Sequence, residues 1–192
     1  MPLFRKGLGP NALPIAMSGV KLGERLLYLG SGRPGLFAAL ASRAGLTGRA
    51  CAVADGAREA ETLQNAAARE GVLVEIAAGA SGPFPHDAES FDVAVIDGTD
   101  GSFGSMSAAD RDHRLREVVR VMRPGGRLLV VERLPGGLRS LIGGAPDTAA
   151  YRSTGGAKAA LEQCGFRPVR ILAERERFRF TEGIKPGART RL

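Results

Sequence analysis

The chain has 192 residues, of which 44% are hydrophobic and 24% charged, and its formal net charge is +7. This length allows one substantial core and leaves little for a second domain, while the apolar content excludes a disordered chain. The two cysteines do not form the pattern of a disulfide framework or a metal cluster, and no apolar run is long enough to span a membrane, so we expect a cytoplasmic protein without a metal site.

The excess of positive charge lies entirely in the second half of the chain. Residues 1–96 contain 9 basic and 9 acidic residues, whereas residues 97–192 contain 18 and 11. Such an asymmetry suits an anionic substrate, a nucleic acid or an acidic partner, but an arginine-rich solvated surface explains it more simply. Nucleic acid is therefore a partner that we do not favour.

Strands and helices alternate along the first half of the chain. Short apolar runs predict three strands, and the alanine- and leucine-rich segments between them predict two helices. Gly45 and Gly71 follow the helical segments, as glycine commonly does at a helix end. The strands are predicted at Arg25–Leu29, Arg49–Ala54 and Val72–Ala77, and the helices at Leu36–Ala44 and Arg58–Glu70.

The same alternation continues in the second half. Phe91–Asp97 is a nearly continuous apolar run, typical of a strand covered on both faces, so we expect a central strand. Ser107 and Asp110 form a capping box that opens a helix. Its apolar stripe is formed by Leu115, Val118, Val119 and Met122. Later strands are predicted at Arg127–Glu132, Phe166–Leu172 and Arg175–Thr181, with a helix at Gly155–Cys164.

This order of elements predicts an α/β fold. The fold class is a Rossmann-like, doubly wound, mostly parallel seven-stranded sheet. Its last two strands are joined by a very short turn, so they form an antiparallel C-terminal hairpin. We expect the Rossmann-like domain at residues 25–182, an irregular or helical lead-in at 1–24 and a tail at 183–192. The segment 133–153 is rich in glycine and proline at its start and is expected to be an irregular connection.

A glycine-rich loop follows the first strand. Its sequence, Gly-Ser-Gly-Arg-Pro-Gly over residues 30–35, lets the backbone turn sharply and approach a ligand at the first turn of a helix. Asp55 ends the second strand, where a carboxylate can accept hydrogen bonds from both hydroxyls of a ribose. Tight strand-to-helix geometry would also explain the glycines, and helix capping would also explain Asp55. Pro34 removes one N–H, which favours a nucleoside ligand without a pyrophosphate.

The chain resembles the class I S-adenosylmethionine-dependent methyltransferases over roughly residues 20–182. The stretches Leu26–Gly32 and Ala52–Asp55 carry part of this resemblance. Two more, Gly82–Asp97 and Val121–Glu132, look like the segments Leu-Pro-Phe-x-x-x-Ser-Phe-Asp and Leu-x-Pro-Gly-Gly of the small-molecule and quinone-precursor branch. The resemblance implies methyl transfer from S-adenosylmethionine, as cofactor, to a small-molecule substrate.

The resemblance also implies which residues form the site. The cofactor would be bound by residues of the loop and at the ends of the second, third and fourth strands. Asp97 would border the methyl-transfer cleft, and Asp100 is a second catalytic candidate, although both aspartates also suit turns. The expected cofactor-binding residues are Gly30, Ser31, Gly32, Gly35, Asp55, Gly79, Ala80 and Asp97.

Two departures from the family pattern keep other functions open. Family members commonly have an acidic residue where this chain has Tyr28, and another near Gly79. A catalytically degenerate relative, used for binding or assembly, is therefore one alternative. A methyltransferase acting on RNA is another, because of the positive second half. The sequence leaves open the methyl acceptor and whether the protein is a monomer or a homodimer.

Overall fold

The computed structural model describes residues 9, 11–79, 82–134 and 146–187. The strands are β1 (Arg25–Leu29), β2 (Arg49–Ala54), β3 (Glu75–Ala78), β4 (Phe91–Gly98), β5 (Met122–Arg133), β6 (Val169–Arg175) and β7 (Phe178–Ile184). The helices are α1 (Ala12–Ser18), α2 (Pro34–Ala44), α3 (Ala57–Arg69), α4 (Ser102–Ser105), α5 (Ala108–Val121), α6 (Pro146–Ser153) and α7 (Gly156–Gln163).

The strands form one seven-stranded sheet in the order β3-β2-β1-β4-β5-β7-β6. The five strands from β1 to β5 are parallel, and β7 runs antiparallel to both β5 and β6. The predicted fold class is thus confirmed. The strand order reverses between β1 and β4, so the carboxyl ends of these two strands border the crevice where ligands bind in such sheets.

The sheet separates two hydrophobic clusters. On the face that we call the α5 face, Ala94 and Ile96 of β4 pack with side chains from α4, α5, α6 and α7. On the opposite face, which we call the α2 face, Val93 and Val95 pack with side chains from α1, α2 and α3. Because successive strand residues point to opposite faces, Asp97 lies on the α2 face.

The strand and helix boundaries agree with the sequence in the first half and drift near the C-terminus. β1 and β2 have the predicted bounds, whereas β3 begins at Glu75 instead of Val72. The hairpin strands lie three residues later than predicted, because the turn is Glu176–Arg177. Both turn residues have positive φ, 52° and 65°, a backbone that suits a two-residue hairpin.

One further expectation was wrong in detail. The supposedly irregular segment 133–153 contains helix α6. β7 continues to Ile184, past the predicted end of the domain at residue 182, and Lys185 still pairs with the backbone of Gly125 and Gly126. The domain boundaries themselves stay a prediction.

Two features are absent from the described part of the chain. None of the helices within these residues is long and apolar enough to cross a membrane. Within the same ranges no group of three histidine, cysteine, aspartate or glutamate side chains is placed to hold a metal ion.

Candidate functional site

The glycine loop joins β1 to α2 at the crevice, and α2 begins at Pro34. Gly30 has φ +115°, and a Cβ atom added there would lie 2.6 Å from the carbonyl oxygen of Asp97. A side chain is therefore excluded at this position both by the backbone and by the approach to β4. The need for glycine at this first position therefore comes from its positive φ and from close packing against β4, a contact that the sequence did not predict.

The other loop glycines are exposed at the mouth of the crevice. A Cβ on Gly32 would lie 3.1 Å from Cβ of Asp100, and one on Gly35 would lie 3.5 Å from Nδ2 of Asn11. Ser31, between the first two glycines, is partly exposed. The loop backbone is thus open to a ligand on the side that α1 and the β4–α4 connection border.

Asp97 is buried, with 1% of its surface exposed, and three neighbours hold its carboxylate. Oδ2 accepts a hydrogen bond of 2.9 Å from the Tyr28 hydroxyl, and Oδ1 accepts bonds of 3.2 and 2.6 Å from the backbone N–H and hydroxyl of Thr99. Arg33 Nε lies 3.4 Å from Oδ2. Burial, and then the charge of Asp97, raise the pKa of Tyr28 well above its usual value, so Tyr28 stays a hydrogen-bond donor.

Arg33 connects the glycine loop to the C-terminal hairpin. Its guanidinium carbon lies 5.0 Å from the ring centre of Phe178, the first residue of β7, in a cation–π contact. Its buried Nε forms an ion pair with Asp97 without the geometry of a hydrogen bond, and its buried Nη2 has no hydrogen-bond acceptor among the described residues. Buried donors without acceptors are costly, so this side chain is suited to an anionic ligand that supplies them.

Asp55 lies directly after β2, and 48% of its side chain is exposed. Its Oδ1 is 2.7 Å from Nη2 of Arg114 on α5. The alternative role as a helix cap is wrong, because the residue that caps α3 is Gly56. Because the Asp55 side of this ion pair is half-exposed, the pair contributes on the order of 1 kcal/mol, so the carboxylate is available to a competing ligand.

The remaining predicted residues lie around the same edge of the sheet. Gly79 follows β3 with φ +99°, and an added Cβ would meet no atom of the described residues within 4 Å. Ala80 lies outside the described residues. Asp100 accepts hydrogen bonds from the backbone N–H and hydroxyl of Ser102, at 2.9 and 2.6 Å, so it has the turn role that the sequence left open.

The sequence did not single out Glu132, near the end of β5. Its Oε1 accepts a hydrogen bond of 2.7 Å from the hydroxyl of Tyr151 on α6. Both side chains line a pocket of about 240 Å³, which we call the β5 pocket. Its position as a charged residue at the end of an apolar strand could have marked Glu132 as a candidate. Its partner Tyr151 could not be found in the same way, because it is 19 residues away on a helix that was not predicted.

The structure therefore brings some predicted residues together and leaves others apart. Gly30 approaches Asp97, and Gly32 approaches Asp100, at the ends of β1 and β4. Asp55 belongs to the end of β2, where its described partner is Arg114. The set spans the carboxyl ends of the parallel strands, as a nucleoside-containing ligand would require.

Comparison with known sequences gives a family. The ubiE/COQ5 methyltransferase family matches residues 12–135. A C-methyltransferase of ubiquinone and menaquinone biosynthesis, UbiE of Hydrogenovibrio crunogenus, is 29% identical over 120 residues, covering 62% of this chain and 45% of that protein. UbiE of Escherichia coli is 35% identical over 123 residues, covering 62% and 46%. The chain thus matches less than half the length of either relative.

Comparison with solved structures supports the fold. An S-adenosylmethionine-dependent methyltransferase from Aquifex aeolicus superposes with a TM-score of 0.72 at 18% identity, covering 92% of this chain and 90% of that one. The cyclase SpnF superposes with a TM-score of 0.65 at 18% identity, covering 93% and 80%. At such identities the likeness concerns the fold alone. The matched residues 12–135 run from α1 past the end of β5, and by that match the chain belongs to the ubiE/COQ5 methyltransferase family.

Proposed function

We propose that the protein transfers a methyl group from S-adenosylmethionine to a small-molecule acceptor. The observation that carries this proposal is Arg33, in the loop after β1, whose buried Nη2 has no hydrogen-bond acceptor among the described residues. Family membership indicates the reaction class. The arginine indicates an anionic group in the ligand, because its buried donor needs a hydrogen-bond acceptor. The amino-acid part of S-adenosylmethionine ends in a carboxylate, which meets that demand.

The residues at the crevice fit the rest of this cofactor. Asp55 is half-exposed at the end of β2 and is now paired with Arg114. When the cofactor binds, the ribose hydroxyls replace Arg114 as hydrogen-bond donors to the Asp55 carboxylate. Gly79 leaves open space beside the end of β3 for the adenine ring. We propose that the cofactor is bound by Gly30, Ser31, Gly32, Gly35, Asp55, Gly79, Ala80 and Asp97.

The protein's part in the reaction is alignment. When bound, S-adenosylmethionine supplies a methyl group on a positively charged sulfur. Displacement at such a carbon requires the acceptor to be held in line, and this accounts for much of the rate enhancement in reactions of this type. Asp97 serves alignment by holding Tyr28 and Arg33, and Asp100 borders the mouth of the crevice beside Gly32.

We further propose that the protein acts in the cytoplasm, as a monomer or a homodimer. Cys51 and Cys164 are both free thiols in the fold, which suits a reducing compartment. Burial raises the pKa of each thiol to about 11, so neither is a reactive thiolate at neutral pH.

A second candidate is a binding or assembly module without methyl transfer. Both carboxylates expected at the cofactor site are already paired with arginines, Asp97 with Arg33 and Asp55 with Arg114. Tyr28 moreover occupies the position where family members commonly have an acid. If these ion pairs persist in the presence of the cofactor, the two carboxylates cannot bind it and the site is blocked.

Isothermal titration with S-adenosylmethionine, S-adenosylhomocysteine and NAD separates the two candidates. The proposal expects binding of the first two, and Asp55→Asn should weaken it about tenfold through loss of a charged hydrogen bond to the ribose. Asp87→Asn, at an exposed loop position away from the crevice, is the matched control and should bind normally. Absence of binding at millimolar cofactor would favour the second candidate.

A further inference from the structure

The β5 pocket lies beside the crevice but on the α5 face of the sheet. Glu132 is the residue of β5 that points to this face near its carboxyl end, and its neighbour on β4 is Gly98. The pocket extends from these strands to α6, and its lining includes Gly101, Gly104 and Tyr151. The Glu132 carboxylate therefore faces a cavity at the carboxyl end of β5. The proposed cofactor site lies at the same edge of the sheet.

The hydrogen bond from Tyr151 fixes the orientation of this carboxylate. The guanidinium of Arg111 stacks on the Tyr151 ring at 4.3 Å and donates to the carbonyl oxygens of Phe103 and Met106 at 3.1 and 3.0 Å. Arg111 thus fixes the position of the Tyr151 ring, and Tyr151 is only 4% exposed. Its hydroxyl binds Oε1 of Glu132, while Oε2 has no donor among the described residues.

The surroundings of Glu132 prepare it to accept a proton. Burial raises its pKa above the usual value, while Tyr151 on α6, Arg179 on β7, and Arg152 and Arg111 act in the opposite direction. Its register partner on β4 is Gly98, which carries no charge. A carboxylate with a raised pKa is a stronger base than an exposed one, yet this one remains oriented by a hydrogen bond.

Three arginines give the pocket an excess of positive charge. Arg133 at the end of β5, Arg152 in the last turn of α6 and Arg179 of β7 all line it. Nε of Arg179 is 2.7 Å from Glu174, whereas Arg152 forms no ion pair within the described ranges. The guanidinium is the side chain best suited to binding carboxylate and phosphate oxygens in pairs.

We propose that the β5 pocket binds a methyl acceptor that carries a carboxylate or phosphate group, with Arg152 and Arg179 binding this anion and Glu132 accepting the proton of the reacting hydroxyl. The acceptor's O–H bond breaks, and the proton moves to Oε2 of Glu132. The electron pair stays on the acceptor's oxygen, which forms the new bond to the transferred methyl carbon, while the pair of the C–S bond leaves with the sulfur of the methylsulfonium donor. The methyl step rests on the proposed function, but the anion site does not.

The anion site is tested by NMR with benzoate and with benzamide, its neutral counterpart of similar shape. We expect benzoate to shift the backbone amide signals of Gly98, Gly101 and Gly104, and Arg152→Gln to weaken its binding about tenfold. The control Arg69→Gln, at an exposed position of α3, should bind benzoate normally. Equal binding of benzamide, or unchanged binding in Arg152→Gln, would overturn the proposal. Displacement of benzoate by inorganic phosphate would assign the site to phosphate esters, and failure to displace it would assign carboxylates.

The role of Glu132 is tested by its own titration. The ¹³C signal of its carboxyl group reports its pKa directly, without methyl transfer. Because a bound anion stabilises the protonated form, saturating benzoate should raise this pKa, and Glu132→Gln should strengthen benzoate binding by removing a like charge. A pKa that benzoate leaves unchanged would overturn the placement of Glu132 beside the acceptor. If these results hold while S-adenosylmethionine fails to bind, the proposed function fails and the anion site stands.

Discussion

The hydroxyl of Tyr28 donates a hydrogen bond of 2.9 Å to the Asp97 carboxylate, joining the ends of β1 and β4. Tyr28 is fully buried and packs against Phe37 of α2, with 5.1 Å between ring centres. The aromatic ring is therefore part of the core on the α2 face, while its hydroxyl contacts Asp97 at the end of β4, beneath the crevice. Members of the family commonly have an acidic residue at this position. In this chain the position holds a tyrosine that packs in the core and donates a hydrogen bond to Asp97.

Replacing this tyrosine separates the two contributions. Tyr28→Phe keeps the ring and removes only the hydroxyl, so Asp97 loses one donor but keeps those of Thr99. We expect the free energy of unfolding to fall by about 1–2 kcal/mol, as for a buried hydrogen bond to a charged group. Urea denaturation followed by circular dichroism measures it. An unchanged midpoint would show that the hydrogen bond contributes nothing net.

Arg33 is the residue on which the two candidate functions make opposite predictions. If its free donors bind the carboxylate of S-adenosylmethionine, Arg33→Gln should weaken cofactor binding about tenfold in isothermal titration. If the arginine instead blocks the site, the same substitution should strengthen binding. Arg43→Gln, at an exposed position of α2, is the control for the change in net charge.

Gly30 offers a test of the contact between β1 and β4. Gly30→Ala places a Cβ 2.6 Å from the Asp97 carbonyl oxygen at a φ of +115°. Gly79→Ala imposes a similar φ of +99°, and its Cβ would meet no atom of the described residues within 4 Å. The backbone cost common to both is about 1–2 kcal/mol, so the additional loss of stability in Gly30→Ala measures the close approach alone. Equal losses of stability in the two variants would contradict the steric argument.

The sequence predicts this fold well where local pattern decides the structure. β1 and β2 have the predicted bounds because their apolar runs end abruptly at charged residues and glycine. The hairpin was misplaced because Glu176 and Arg177 adopt positive φ without the asparagine or glycine that usually indicates it. Pro168 lacks an N–H, and β6 begins directly after it, a boundary that the apolar pattern does not show.

The site was less predictable because its contacts join distant parts of the chain. The loop and the aspartates were found from their positions after strands, but their arginine partners were not. Arg114 reaches Asp55 across 59 positions of sequence, and nothing in the pattern of α5 distinguishes it from the other arginines of that helix. Pairing of this kind depends on tertiary packing, which periodicity does not encode.

A partly buried carboxylate at the opposite edge of the sheet gives a prediction for pH dependence. Asp92 of β4 accepts hydrogen bonds from the backbone N–H, Nε and Nη2 of Arg25 at 2.7, 3.1 and 3.0 Å, and Arg123 lies 2.8 Å away. Burial opposes ionisation, but the contacts with Arg25 and Arg123 outweigh it and lower the pKa of Asp92. The folded state therefore favours the charged carboxylate more than the unfolded state does.

The sign of the effect follows from this lowered pKa. The stabilisation by Asp92 is fully present above the pKa of the unfolded chain and is lost as the pH falls through the lower pKa of the folded protein. We expect Asp92→Asn to reduce the free energy of unfolding by about 1–2 kcal/mol at neutral pH, and this difference from the wild type to shrink in acid. Urea denaturation of both proteins across the acidic range measures it. Glu89→Gln, at an exposed position before β4, should show no such pH-dependent difference, and a constant difference for Asp92→Asn would contradict the lowered pKa.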